Sequence, residues 1–195
     1  MLRYEGGEDV FLEGAGVGLF AHTMNGYGED NGKSMLRALN ALTRTVVSPP
    51  VVHARFSTET EEVQAELSML EVLNTPAIGP RLMLAPNADP SDGWLEVMTI
   101  EPAAGVGFIN YVIGMMSSQL HTLENVTLRR ARRVELDFDG GALHFDGESL
   151  EVSEGRVEFW LEPDAFSVVV PAPTETSLET PEDTESPEKL ITYAN

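Results

Sequence analysis

The chain contains no cysteine. That excludes thiol nucleophiles, cysteine-ligated zinc and disulfides, and it suits a reducing compartment, so a cytoplasmic protein is expected. Lysine is nearly as scarce: Lys33 and Lys189 are the only two. With 12 basic against 32 acidic residues the formal net charge is −20. An acid excess of this size argues against a nucleic-acid partner and against adhesion to anionic lipid, leaving peripheral membrane contact at most. No apolar run approaches the ~20 residues of a membrane span. Gly105 to Met116 comes nearest and is too short. The opening residues, Met1 to Glu8, turn polar at once, unlike a secretory leader. Several signatures are missing too. No histidine pairs with another at helical ligand spacing, and there is no G-x-S-x-G and no P-loop lysine. The usual hydrolase, zinc and P-loop nucleotide-hydrolase chemistries are therefore not expected.

What is present suits one domain. A chain of 195 residues buries a core without help from metal or disulfide. Ser34 to Val47 carries apolar residues at spacings of three and four and predicts a helix ended by Pro49-Pro50. Asp9 to Ala21 reads as a strand, a glycine-rich turn and more extended chain. The period then changes to two. Val51–Phe56, Val63–Leu73, Arg81–Ala85 and Trp94–Ile100 predict strands. Gly107 to Leu120 predicts a second helix, largely buried, with Met115-Met116 as core filler. Strands resume over Val126–Phe138, Ala142–Phe145, Leu150–Val152, Val157–Leu161 and Ala165–Val170. The expected fold is mainly β: a two-layer antiparallel β-sandwich with two helices over residues 1–171. Residues 172–195, rich in Pro, Thr, Ser and Glu, predict an acidic disordered tail.

Four segments invite a chemical reading. Gly16-Val17-Gly18-Leu19-Phe20-Ala21 fits a dinucleotide loop in form, but such a loop needs a helix directly after it inside a βαβ unit. Asn25-Gly26 interrupts any helix, so a tight bend between strands is expected. Arg129, Arg130, Arg132 and Arg133 form the only basic cluster. Arg130 and Arg132 fall in the same strand parity as Val126, Leu128, Val134 and Leu136, so they need acidic partners or a bulge. Pairing with surrounding acids is weighed above an anion site. Ala85 to Val97 places Asp89 and Asp92 around a Pro and a Gly, either a plain turn or an oxygen-rich site for Mg²⁺ or Ca²⁺. Asp146-Gly147, between alternating apolar residues, signals a β-hairpin. With Glu148 it also forms a pair of carboxylates.

Taken in order, "FLEGAGVGLFA", "EVLNTPAIGPRLMLAP", "LAPNADPSDGWLEV", "HFDGESLEV" and "LEPDAFSVVVPA" resemble the C-terminal half of the diacylglycerol kinase and sphingosine kinase family, members of the NAD-kinase-like superfamily. The resemblance covers roughly Val10 to Pro171. It implies a β-sandwich packed against an N-terminal α/β nucleotide domain, with the active site between them. By the same resemblance, Asp146 would be the acid beside the lipid hydroxyl, a general-base candidate, and Glu148 would help arrange magnesium-bound phosphates. Asp92, with backbone carbonyls of Asp89 and Trp94, matches a second, structural cation site. The division is physically sensible, because phosphoryl transfer needs positioning and charge compensation more than covalent help. The family's Gly-Gly-Asp-Gly-Thr segment is absent from this sequence. ATP is thus expected only with a missing nucleotide-binding domain: the chain is a separated or truncated half, is completed by a partner, or has lost catalysis, and its expected protein partner is such a domain or a homo-oligomer.

Three functional readings follow. The first is the substrate side of a lipid kinase that phosphorylates a diacylglycerol- or sphingoid-like alcohol when joined to a nucleotide domain. The second is a non-catalytic, cation-binding regulatory or interaction module, for which Asp92→Ala should matter to stability and Asp146→Ala should not. The third is a calcium-dependent carbohydrate-binding sandwich, supported only by Trp94 and Trp160.

Overall fold

A computed structural model describes residues 1–25, 50–79, 82–104, 106, 108–153, 155–165 and 167. Met1–Pro163 forms one compact unit. The expected helix over 34–47 and the tail from 172 lie outside the described residues. So does the expected last strand over 165–170, apart from Ala165 and Ser167, neither of which is in a strand.

Two six-stranded sheets face each other. The first contains β1 (Leu2–Tyr4), β2 (Gly7–Asp9), β4 (Val52–Ser57), β5 (Glu62–Leu67), β11 (Arg133–Phe138) and β14 (Gly155–Trp160), in the order β2-β1-β14-β11-β4-β5. The second contains β3 (Gly14–Gly18), β6 (Met69–Leu73), β9 (Leu95–Ile100), β10 (Val126–Ala131), β12 (Gly141–Phe145) and β13 (Glu148–Val152), in the order β10-β9-β6-β3-β12-β13. Every pairing within both sheets is antiparallel. A short hairpin joins β7 (Ala77–Ile78) to β8 (Leu82–Met83). The expected sandwich is therefore the observed one.

Two expected strands are each broken in the middle. Val63–Leu73 divides at Ser68 into β5 and β6, and Val126–Phe138 divides at Arg132 into β10 and β11; each pair lies in different sheets. The chain thus crosses between layers twice without a loop. At the first break Ser68 donates its N–H to Ile100 O at 2.7 Å and accepts from Leu19 N at 3.0 Å. At the second, Glu59 Oε1 accepts from the N–H groups of Arg132 and Arg133, at 2.9 and 2.8 Å. Backbone polar groups freed by a break must find partners, and these contacts supply them. The break also resolves the parity problem of the arginines, since no single apolar face runs through positions 130 and 132.

The inner faces share one core, including Ala15, Val17, Leu70, Val72, Leu95, Val97, Leu143 and Phe145 from the second sheet and Phe56, Leu136, Val157 and Phe159 from the first. The second sheet is buried on its outer face as well. There Met69, Leu73, Met98 and Ile100 pack with Leu19, Phe20, Tyr111 and Met115. This explains why β6 and β9 are buried at every position rather than alternating. The outer face of the first sheet instead carries cross-strand ion pairs, such as Arg133 with Glu158 at 2.9 Å and Arg156 with Asp137 at 3.0 Å.

The helices depart from expectation in two ways. The chain does not continue extended after the glycines: α1 (Leu19–Asn25) starts immediately after β3. Gly18, at φ +90°, makes the turn, and Leu19, Phe20 and Ala21 bury against the sheet. The described side chains of the second helix, α2 (Phe108–Met116), are buried along one side only. Tyr111 and Met115 face inward, while Ile109, Ile113 and Met116 are 48%, 58% and 63% exposed. Met116 is therefore not core filler.

Candidate functional site

The hairpin between β12 and β13 pairs Phe145 with Glu148, leaving a two-residue loop. Asp146 has φ +47° and Gly147 φ +110°. Positive φ at both positions is what a tight hairpin matched to sheet twist requires, and Asp followed by Gly is the pair that tolerates it.

Asp146 does more than turn the chain. Its Oδ2 accepts from Leu12 N at 2.5 Å, and its Oδ1 accepts from Glu13 N at 2.7 Å and Gly14 N at 3.1 Å. Its own N–H donates to Gly14 O at 3.0 Å. From the other side, Asn74 Nδ2 donates to Leu12 O at 3.0 Å and Asn74 N to Glu13 O at 2.9 Å. Glu13 Oε2 in turn accepts from Gly79 N at 2.7 Å. The segment 12–14 is therefore clamped between the hairpin and the Asn74 turn, and the Asp146 carboxylate is fixed in direction. A carboxylate offers about four lone-pair directions, so one on Oδ2 remains for an outside donor. The 146 and 148 side chains are both exposed. Glu148 opens the edge strand β13, and its charge adds slightly to the forces holding the Tyr4 phenol above its ordinary value, chief among them the hydrogen bond to Asp9. Asn74 and the backbone of 12–14 carry no chemical signature in the sequence beyond the turn-forming character of Asn74-Thr75-Pro76.

A second feature lies on the outer face of the second sheet. Glu71 on β6 and His144 on β12 are both fully buried, with His144 Nε2 at 2.8 and 3.0 Å from the two Glu71 oxygens. They meet across β3, whose outward positions 14, 16 and 18 are all glycine. A Cβ at Gly16 would lie 2.2 Å from Leu70 O and 2.7 Å from the Glu71 carboxyl. Burial pushes the Glu71 carboxyl up, while His144 pulls it back by charge and hydrogen bond. The G-x-G pattern thus serves this bridge. A helix does follow it, contrary to expectation, but β3 is flanked by the antiparallel strands β6 and β12, not by a βαβ unit.

The Asp89–Trp94 turn is closed on itself. Asp89 Oδ1 accepts from Ser91 Oγ at 2.6 Å and Ser91 N at 2.9 Å, and these bonds hold its carboxyl below its usual range. Asp92 N donates to Asp89 O at 3.1 Å, and Trp94 N to Asp92 Oδ1 at 2.9 Å. The other Asp92 oxygen pairs with Arg130, which also meets Glu96 at 3.3 Å. Both carboxylate oxygens of Asp92 are engaged, one of them by a positive charge. As arranged, Asp89, Asp92 and Trp94 do not fit a divalent cation. Among the described residues no group of three or more His, Asp or Glu side chains is placed to hold a metal ion. The basic cluster pairs as expected, with Arg129 on Glu61, Arg130 on Asp92 and Glu96, and Arg133 on Glu158 and Glu135. Arg132 stacks 4.6 Å from the Trp94 ring.

No helix among the described residues is long and apolar enough to cross a membrane. A family model described as the YegS C-terminal NAD kinase beta sandwich-like domain matches residues 29–170. Diacylglycerol kinases from two strains of Mycobacterium tuberculosis, CDC 1551 / Oshkosh and H37Rv, are 28% identical over 89 residues, 46% of this chain and 29% of theirs. Two crystal structures from Bacillus anthracis str. Sterne superpose with TM-scores of 0.54 and 0.51 at 18% identity. They cover 77% and 76% of this chain and 50% and 48% of their own, and the second is described as a diacylglycerol kinase. The chain therefore spans about half the length of those structures, and less of the curated relatives.

Proposed function

The chain belongs to the YegS C-terminal NAD kinase beta sandwich-like domain family, and on that premise we propose that it is the substrate side of a lipid kinase, acting on a diacylglycerol- or sphingoid-like alcohol once a nucleotide-binding domain is joined to it. The observation that carries this reading is the Asp146 carboxylate, exposed at a rigid hairpin tip, held by three backbone N–H groups and left with one open lone-pair direction. In this role it accepts a hydrogen bond from the lipid hydroxyl, fixes the attack direction and takes the hydroxyl proton as the oxygen bonds to the γ-phosphorus of ATP and ADP leaves. Glu148, exposed beside it, is the residue to help hold the Mg²⁺ that accompanies the nucleotide phosphates, where the cation offsets their charge. ATP and its binding groups come from the partner.

The test combines the chain with a separately expressed nucleotide-binding domain, ATP, Mg²⁺ and short-chain diacylglycerol or sphingosine. Phosphorylated lipid should form with the pair and not with either half alone. Loss with Glu148→Gln, a variant expected to fold, places that carboxylate in the reaction. A competent pair indifferent to both Glu148→Gln and Asp146→Asn refutes the assignment.

The same three amide bonds favour a second reading, a non-catalytic interaction module in which Asp146 is wholly structural. It predicts partner binding without lipid phosphorylation under any of these combinations.

A further inference from the structure

Two carboxylates, Asp92 and Glu96, converge on one guanidinium. Arg130 Nη2 meets Asp92 Oδ2 and Arg130 Nε lies 3.3 Å from Glu96 Oε1. These acids are largely shielded, with side chains 29% and 10% exposed. Burial raises the Glu96 carboxyl, and the Arg130 charge counters that rise. The guanidinium also lies 5.4 Å from the Trp94 ring, whose face draws cations, and Arg132 lies 4.6 Å from it. Two converging acids beside an oxygen-rich turn are what a hard divalent cation selects. Here a cation is already supplied by the chain.

We infer that Arg130 stands in the place of a divalent cation at the Asp89–Trp94 turn, so that this turn keeps its shape without Mg²⁺ or Ca²⁺ and gains a divalent-cation site only when the guanidinium is removed. A planar fork that reaches two acids and stacks on an indole holds this position better than a hydrated ion would. The inference does not depend on the proposed enzymatic role, because it concerns cation binding by the chain alone.

The test uses the full chain and two variants, Arg130→Met and Arg130→Lys. Melting is followed with Mg²⁺, with Ca²⁺ and with EDTA, and Tb³⁺ luminescence is excited through Trp94. The wild type should melt at the same temperature in all three conditions and show no Trp94-sensitised Tb³⁺ signal. Arg130→Met, which keeps much of the alkyl stem, should bind Tb³⁺. Its melting point should rise by about 5–10 °C when Ca²⁺ stands about a hundredfold above its dissociation constant. Arg130→Lys, retaining a positive charge, should behave as the wild type. Cation-dependent melting or sensitised Tb³⁺ in the wild type overturns the inference, and so does an Arg130→Met chain that folds and binds neither ion. If Arg130→Met does not fold, the wild-type and Arg130→Lys measurements decide.

Discussion

Replacing Asp146 by Ala should cost far more than an exposed turn residue normally does. The side chain accepts three backbone N–H groups, two at exposed positions and one, Gly14 N, partly buried. Hydrogen bonds to a charged acceptor are worth about 1.5–3 kcal/mol when shielded; solvent cuts the two exposed ones to roughly 0.5–1 kcal/mol each and the partly buried one to roughly 1–2 kcal/mol. The set sums to about 2–4 kcal/mol, and an alanine forced to φ +47° adds about 1 kcal/mol more. For a chain of this length about 3–5 kcal/mol corresponds to a melting point lower by roughly 6–20 °C. Asp146→Asn separates the contributions, since asparagine tolerates the turn and its carbonyl still serves Glu13 and Gly14. Its NH₂ would face the Leu12 N–H, donor against donor, costing about 1–2 kcal/mol and roughly 2–8 °C. Circular dichroism melts of the three proteins decide. An Asp146→Ala protein melting within about 2 °C of wild type refutes the clamp and the fixed carboxylate that depends on it.

Gly16→Ala should destabilise by about 1–3 kcal/mol or more, because the added Cβ meets the Leu70 backbone oxygen as well as the buried Glu71 carboxyl; urea titration reads it, and an unchanged midpoint would show that β3 can shift. His144→Leu removes both influences that lower the Glu71 carboxyl. A raised folded value adds stability that is full at low pH and is lost as pH rises through that value, so the variant's melting point should fall more steeply than wild type as pH rises above the ordinary carboxylate range. Parallel curves would contradict the bridge. On α2, Met115→Ala should cost about 2–5 kcal/mol and Ile113→Ala within about 0.5 kcal/mol, since one is buried and the other exposed. Equal losses would mean the helix is turned differently.

The alternation of apolar residues and the turn signals were enough to find a layered antiparallel fold, and Asp-Gly at 146–147 was enough to place a hairpin. Periodicity failed at Ser68 and Arg132, because a strand that changes sheets keeps its period of two on both sides of the break. It also hid the single-sided burial of α2, whose exposed Ile109, Ile113 and Met116 are as apolar as its buried Tyr111 and Met115. The carboxylates at 89, 92, 146 and 148 were visible as candidates. Their partners were not, since Leu12 and Asp146 are 134 residues apart and Asp92 and Arg130 are 38 apart.

Composition, local period and turn chemistry act over a few neighbouring residues, and they settled the strand content, the hairpin and the charge of this protein. Which acids are occupied by amides, by a guanidinium or by a buried imidazole was decided only when distant strands came into register. Hydrogen bonds and ion pairs reach about 3 Å, and it is the pairing of sheets, not nearness along the chain, that brings Asp146 to Leu12, Glu71 to His144 and Arg130 to Asp92.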